Sequence, residues 1–258
     1  MIAGIIQYKD LLYMLTLRDL RVRYKQAFMG FLWAIFMPMI AILAGILFKK
    51  VVSIASGLSM NLIDVVSITV KVLPWTFFIS ALKFSVNSLV SNNSLITKIY
   101  FPREILVYSS ILACLFDFLI GSITLAVLLL FAHTGMSAHI IFLPLILISL
   151  IFFTTGLGLI FSSANLFFRD VKYIVEVILM FGIFFTPVFF DSNTFGKWKT
   201  LILINPMGGL LEGINSVVVL HKIPDIFWLL YSIICSIIVF VVGLSIFRKT
   251  EFLFSENI

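Results

Sequence analysis

Residues 105–132 read ILVYSSILACLFDFLIGSITLAVLLLFA, an unbroken apolar run whose single charged residue is Asp117. A hydrocarbon core about 30 Å thick needs roughly 20 helical residues, each rising about 1.5 Å. This stretch is therefore long enough to cross a bilayer. A barrel strand would instead alternate in character over about ten residues, which this run does not. Five further runs have the same quality: Ala27 to Phe48 with Pro38 inside it, Val72 to Val90 with Lys83, Ile140 to Phe168, Tyr173 to Phe190 with Glu176, and Ile226 to Phe247. The pattern predicts an all-α integral membrane protein with six transmembrane helices in one domain spanning residues 1–258. Composition agrees, since 62% of the 258 residues are hydrophobic and 12% charged, against about 45–50% and 25% in soluble domains. Mean hydropathy is +1.18. Cys114 and Cys235 lie inside apolar runs, which excludes a secreted disulfide scaffold.

The net charge of +6 and pI near 9.4 do not point to nucleic acid, because most basic residues flank apolar runs instead of forming a soluble basic face. They point to topology. With the N-terminus inside, every arginine (Arg18, Arg21, Arg23, Arg103, Arg169 and Arg248) falls in a cytoplasmic segment, while the outer segments hold only lysines, Lys71 among them. Both termini are expected in the cytoplasm. The first apolar run is expected to act as an uncleaved anchor.

Three segments between spans carry pattern. In residues 1–26, Leu17, Leu20 and Tyr24 with Phe28 make one helical stripe beside Arg18, Arg21 and Lys25, and Asp19 precedes Arg23 by four residues. An amphipathic helix on the inner leaflet and an ordinary positive-inside flank both fit. Asn92 to Glu104, NNSLITKIYFPRE, has an apolar face of Ile96, Tyr100 and Phe101 and is broken by Pro102. It suits either a docked partner or an interfacial loop. Residues 191–225 are apolar but interrupted by Asn205-Pro206, Gly208-Gly209 and Gly213, as short re-entrant or interfacial helices at the outer mouth require.

Ionised groups in mid-span cost roughly 2.5–3.5 kcal/mol on insertion scales, so each needs a partner or a route to water. Lys83 and Asp117 are expected to pair between the second and third spans, ahead of a proton relay as their role. Phe181, Phe184 and Phe185 lie on adjacent turns, and Trp33 and Phe36 recur in the first span. These stripes suit sugar stacking in a conduit, or helix packing and lipid contact. No GxxxxGK[ST] loop, HExxH or CxxC is present, so neither ATP by that route nor a metal site is predicted, and His133, His139 and His221 read as surface residues.

Four motifs in order make the reading specific: Arg18-Asp19-Leu20-Arg21-Val22-Arg23-Tyr24-Lys25 with Gly30, Trp33 and Pro38; Lys98-Ile99-Tyr100-Phe101-Pro102-Arg103-Glu104; Asn165, Phe168-Arg169-Asp170-Val171 and Thr186-Pro187; and Asn205-Pro206-Met207-Gly208-Gly209-Leu210-Leu211-Glu212-Gly213. Together they resemble the membrane subunits of ABC exporters for bacterial surface polysaccharides, the Wzm/TagG/KpsM group of type-2 permeases, and most nearly the O-antigen branch. Thr186 stands where that group commonly has Ser, and Gly209 where it has Ala or Ser. The resemblance implies a homodimer in the bacterial cytoplasmic membrane, among membrane lipids, bound to two copies of a separate ABC ATPase. It also implies that ATP and Mg2+ are held by that partner, with no cofactor in this chain, and that the cargo is a polysaccharide on undecaprenyl pyrophosphate. Carried onto this chain, Arg18, Arg21, Arg23 and Lys25 would meet the pyrophosphate. Ser94, Ile96, Lys98, Tyr100, Phe101 and Arg103 would form the ATPase-coupling helix. Trp33, Phe36, Phe181, Phe184 and Phe185 would line the pore, and Asn205, Pro206, Gly208 and Gly209 would belong to the outer gate. A drug or lipid exporter of the same fold and a polyprenyl-lipid glycosyl- or acyltransferase are the alternatives. The transferase would need a cluster of acids, and here Glu104 and Asp170 stand singly beside arginines.

Overall fold

A computed structural model of the chain describes residues 7–25, 30–56, 62–131, 135 and 137–254. Ala27 and Phe28 of the expected first span and stripe, and His133, lie outside the described residues. The rest is helical: α1 (Lys9–Tyr24), α2 (Trp33–Ser56), α3 (Leu62–Ser91), α4 (Asn93–Lys98), α5 (Glu104–Phe131), α6 (Leu143–Phe167), α7 (Val171–Gly182), α8 (Lys199–Leu203), α9 (Pro206–Val218) and α10 (Ile226–Thr250). Short 3₁₀ turns introduce α2 and α6 and follow α7 and α10.

The helices α2, α3, α5, α6 and α10 are long and apolar enough to cross a membrane, making this a multi-pass membrane protein. The expected span from Tyr173 to Phe190 is broken. Its helix α7 has 12 residues, about 18 Å of rise, and after the turn Ile183–Phe185 the backbone of Thr186 is extended (φ −126°, ψ 137°). Steric conflict with the ring of Pro187 drives the residue before it out of the helical region. A further apolar unit follows as a bent pair, Gly196–Leu203 and Pro206–Val218, crossing at 112°. Helix α2 continues through position 38, whose side chain lies outside those described, and runs past the expected end at Phe48 to Ser56.

The bundle is built around α3, which packs against α2, α5, α6, α7 and α9. Of its span, 72% is buried, against 6% for α2, so α3 is the axis and α2 is largely unpartnered within one chain. Ile68, Leu82 and Leu89 of α3 meet Ile105 and Leu106 of α5 and Ile146, Leu150 and Leu159 of α6 in the core. The most extensive pairing is between α6 and α10. It rests on glycine, since a Cβ on Gly156 would lie 2.6 Å from the backbone of Val239 and Phe240, and one on Gly243 would lie 2.4 Å from the Gly156 carbonyl oxygen. Small residues let the two backbones touch, which is how helices gain packing energy where lipid removes the hydrophobic drive.

Candidate functional site

Chemistry-bearing side chains gather at both ends of the bundle and in a groove between them. At the α4 end, the expected coupling segment is a six-residue helix followed by extended chain, not a helix from 92 to 104. Ile99 is extended (φ −131°, ψ 135°), and successive side chains in extended backbone point to opposite sides. Tyr100 is thus 94% exposed and Phe101 only 5%. Ile96 is buried as well, so two of the residues expected to meet a partner face the bundle instead. Ser94, Lys98 and Tyr100 stay exposed. The segment is clasped to the far end of the chain: the Arg103 amide donates to Glu251 Oε1 at 2.8 Å, its guanidinium donates to the Glu251 carbonyl, and Arg248 Nε donates to Glu104 Oε1 at 2.8 Å. Tyr108 donates to the other oxygen of Glu104 at 3.0 Å.

Helix α1 packs against the first half of α5. Its buried residue is Leu15, flanked by Tyr8, Leu11 and Leu12, while Leu17 and Leu20 of the expected stripe are half-buried. Asp19 does not reach along the helix to Arg23. It pairs with Arg18 at 2.7 Å and accepts from Ser109 at 3.2 Å. Arg23 instead donates to Asp117 at 3.0 Å and to Cys114 Sγ at 3.3 Å, its guanidinium lying 3.7 Å over the Phe84 ring. Tyr24 donates to the other Asp117 oxygen at 2.7 Å. Burial first, and then the Asp117 carboxylate, push the Tyr24 phenol well above its ordinary pKa, so it remains a donor. The Lys83–Asp117 pair is therefore corrected: Lys83 is exposed with no carboxylate among the described residues within 4 Å, because α1 takes the place beside Asp117. Arg21 and Lys25 are exposed.

At the opposite end, Lys71 lies inside α3 and is 1% exposed, not in a connecting segment as expected. Its ammonium donates to the Phe190 carbonyl at 2.8 Å and to Asp191 at 2.9 Å, with Glu212 Oε1 at 3.6 Å. Glu212 also accepts from the Ser192 amide at 2.9 Å, and Asn215 donates to Asp191 at 3.3 Å. One lysine thus ties α3 to both the chain leaving α7 and helix α9. The Asn205-Pro206 pair has a local reason: Asn205 Oδ1 caps α9 by accepting from the Met207 amide at 3.1 Å, and Pro206 sits in the first turn, where an amide proton would have no partner. The Asn205 amide nitrogen reaches Thr186 Oγ1 at 2.9 Å. A Cβ on Gly209 would lie 2.2 Å from Ser232 Oγ, and one on Gly208 would lie 3.0 Å from the Ile202 carbonyl. These four residues fold the bent pair of α8 and α9 tightly against its neighbours.

Residues 10–219 match the ABC-2 type transporter family. The chain belongs to that family. Members are permease subunits of transporters and not enzymes, and membership implies an ABC ATPase as partner. This ABC-2 permease is similar to the O-antigen export system permease protein RfbA of Klebsiella pneumoniae, at 32% identity over 257 residues covering 96% of this chain and 94% of that one. A second protein of that name from the same organism is 30% identical over 253 residues. One from Myxococcus xanthus is 26% identical over 262 residues, covering 100% and 99%.

In this ABC-2 chain the two aromatic stripes do not meet. Phe184 contacts Phe48, with ring centroids 6.4 Å apart, near the other end of α2 from Trp33 and Phe36. Phe181, Phe184 and Phe185 are exposed, as are Trp33 and Phe36. Asn165 earns its place in the third motif as a brace, donating to the Val86 carbonyl at 3.1 Å and accepting from the Lys172 amide at 3.2 Å. Lys71, Glu212, Arg248 and Glu251 are the polar residues that sequence reasoning passed over. Glu212 lay inside a quoted motif, and Lys71 was signalled only by the apolar residues on both sides of it.

Proposed function

We propose that the chain is the membrane subunit of an ATP-driven exporter that moves an O-antigen-type polysaccharide on undecaprenyl pyrophosphate across the bacterial cytoplasmic membrane. The observation that carries this reading is similarity over nearly the whole chain to permeases named for O-antigen export. In this reading two copies meet through the open faces of α2 and α7 around a conduit lined by Trp33, Phe36, Phe181, Phe184 and Phe185. Both termini and α4 face the cytoplasm, as the arginine distribution favours. Arg21 and Lys25 meet the pyrophosphate from the inner leaflet, while Arg23 holds α1 to α5 through Asp117 and Arg18 pairs with Asp19 on its own helix.

Two copies of a separate ATPase supply the energy and hold ATP and Mg2+. Their closure pushes on α4 and the Tyr100 turn, and the Arg103–Glu251 and Glu104–Arg248 clasp carries that push to α10. From there the contact of α10 with α9 leads to the re-entrant turn of Asn205, Pro206, Gly208 and Gly209, which acts as the outer gate. The reading is tested by deleting the gene and restoring it: loss and return of the surface polymer supports it, and a deletion strain with its polymer intact overturns it. Within it, Tyr100→Ala leaves thermal stability within about 0.5 kcal/mol, as substitutions of fully exposed side chains do. The same variant lowers recovery of the ATPase in a pull-down of the tagged permease. Unchanged recovery removes Tyr100 from the coupling surface.

A further inference from the structure

Helix α10 ends at Thr250, and the turn after it, Glu251–Leu253, delivers Phe254. Aromatic rings near the end of a span commonly sit among lipid headgroups, but Phe254 is fully buried. Three groups surround it. The Phe247 ring meets it edge to face with centroids 5.2 Å apart, the Phe167 ring lies at 6.0 Å, and the Arg103 guanidinium stands 5.8 Å from its centroid. Edge-to-face rings and a cation over a ring face are both attractive arrangements.

Two of those neighbours belong to different turns. Arg103 closes the α4–α5 turn, and Phe167 is the last residue of α6, from which Phe168-Arg169-Asp170 leads into α7. The α4–α5 turn does little to hold itself, since among the described residues the amides of Tyr100 and Phe101 make no backbone hydrogen bond. Much of its shape is set by what packs against it, with Phe101 turned inward and the Arg103 amide fastened to Glu251. The α6–α7 turn is tied the other way, because Asn165 joins it to α3 and to the first turn of α7. Phe168, Arg169 and Asp170 all point outward, so the contact of Phe167 with Phe254 is what brings this motif to the coupling turn.

We infer that Phe254 is a positioning residue for energy coupling, a wedge that fixes the α4–α5 turn against the α6–α7 turn so that the two move as one body. This rests on the exporter reading and extends it. A push on Tyr100 reaches α7 as well as α10, and α7 with the turn after it carries Phe181, Phe184 and Phe185. Without the wedge the ATPase still meets Tyr100 and still turns over, but its stroke is spent within a loosened turn.

The test uses the full chain with its ATPase in lipid nanodiscs, and the same variants in cells. Hydrogen exchange reads the wedge directly. The Arg103 amide is held by Glu251, and the Val171 and Lys172 amides by the Phe168 carbonyl and by Asn165. Phe254→Ala speeds exchange about tenfold in the peptides carrying both turns and leaves the middle of α5 and α10 as in the parent. Surface polymer per copy of the complex falls about tenfold, while ATP hydrolysis by the purified complex is retained. Phe254→Leu, which refills most of the space, restores both readouts. A purely structural role gives a different result: fewer copies accumulate, exchange rises throughout the bundle, and polymer per copy is unchanged, which overturns the inference. Faster exchange at Arg103 with none at Val171 and Lys172 overturns it too. Where Phe254→Ala fails to accumulate, Phe254→Val leaves a smaller cavity and has to show the same pattern. A deletion strain that keeps its polymer refutes the exporter reading, and the exchange map alone then decides whether Phe254 joins the two turns.

Discussion

Replacing Lys71 with Met lowers stability by about 3–5 kcal/mol, the cost of removing one partner from a buried ion pair. The ammonium is 1% exposed and answers Asp191 at 2.9 Å and Glu212 at 3.6 Å. Methionine keeps most of the volume, so packing changes little, and what remains is two carboxylates facing each other with no cation. Helix α9 and the chain leaving α7 then lose their tie to α3, and thermal unfolding in lipid nanodiscs moves down sharply. Adding Glu212→Gln to Lys71→Met recovers part of the loss, because one of the two stranded charges is gone. A Lys71→Met protein as stable as the parent, or a double variant worse than the two single losses added, refutes the role assigned to this lysine.

Gly156→Leu is the other large effect. The leucine Cβ must occupy space 2.6 Å from the backbone of Val239 and Phe240, and backbone in the middle of a helix cannot step aside as a flexible side-chain end can. Helices α6 and α10 are forced apart along the most extensive contact in the bundle. Overpacking of this kind costs about 3 kcal/mol, the upper part of its usual range, and the protein fails to accumulate in membranes. Gly182→Ala is the contrast, since its new methyl meets only the Trp75 ring at 3.4 Å, and it accumulates as the parent does. Equal membrane levels for Gly156→Leu and the parent would show that the crossing is not close.

The spans were legible wherever an apolar run is unbroken, because a bilayer imposes length and composition directly; α5, α6 and α10 lie within a few residues of their expected bounds. Misreadings gathered where a charge finds a partner far along the chain. Lys71 reads as the edge of a span, yet its partners Asp191 and Glu212 stand four and six helices further along the chain, and nothing local announces them. Asp117 was matched to the nearest charge on a neighbouring span, when the competitor was Arg23 on a helix outside the six runs. Helix α7 was overextended because the apolar run was read through Pro187 to Phe190, although the ring restricts Thr186. At the candidate sites, the motifs located the right segments but not the facing of their side chains. Tyr100 and Phe101 are adjacent and aromatic, and only the extended backbone between α4 and α5 sends one outward and the other in.

The clasp at the α4 end has a bearing on how the protein is made. Its partners are separated by 148 residues between Arg103 and Glu251 and by 144 between Glu104 and Arg248. Chains emerge from the ribosome N-terminus first, so the Tyr100 turn is synthesised long before the residues that fasten it. Until α10 and the turn that follows it have been made, Glu104 lacks Arg248 and Arg103 lacks Glu251. The finished arrangement of this turn is thus a mark of a chain whose α10 is in place, and a partner that recognises it discriminates against copies that lack that helix.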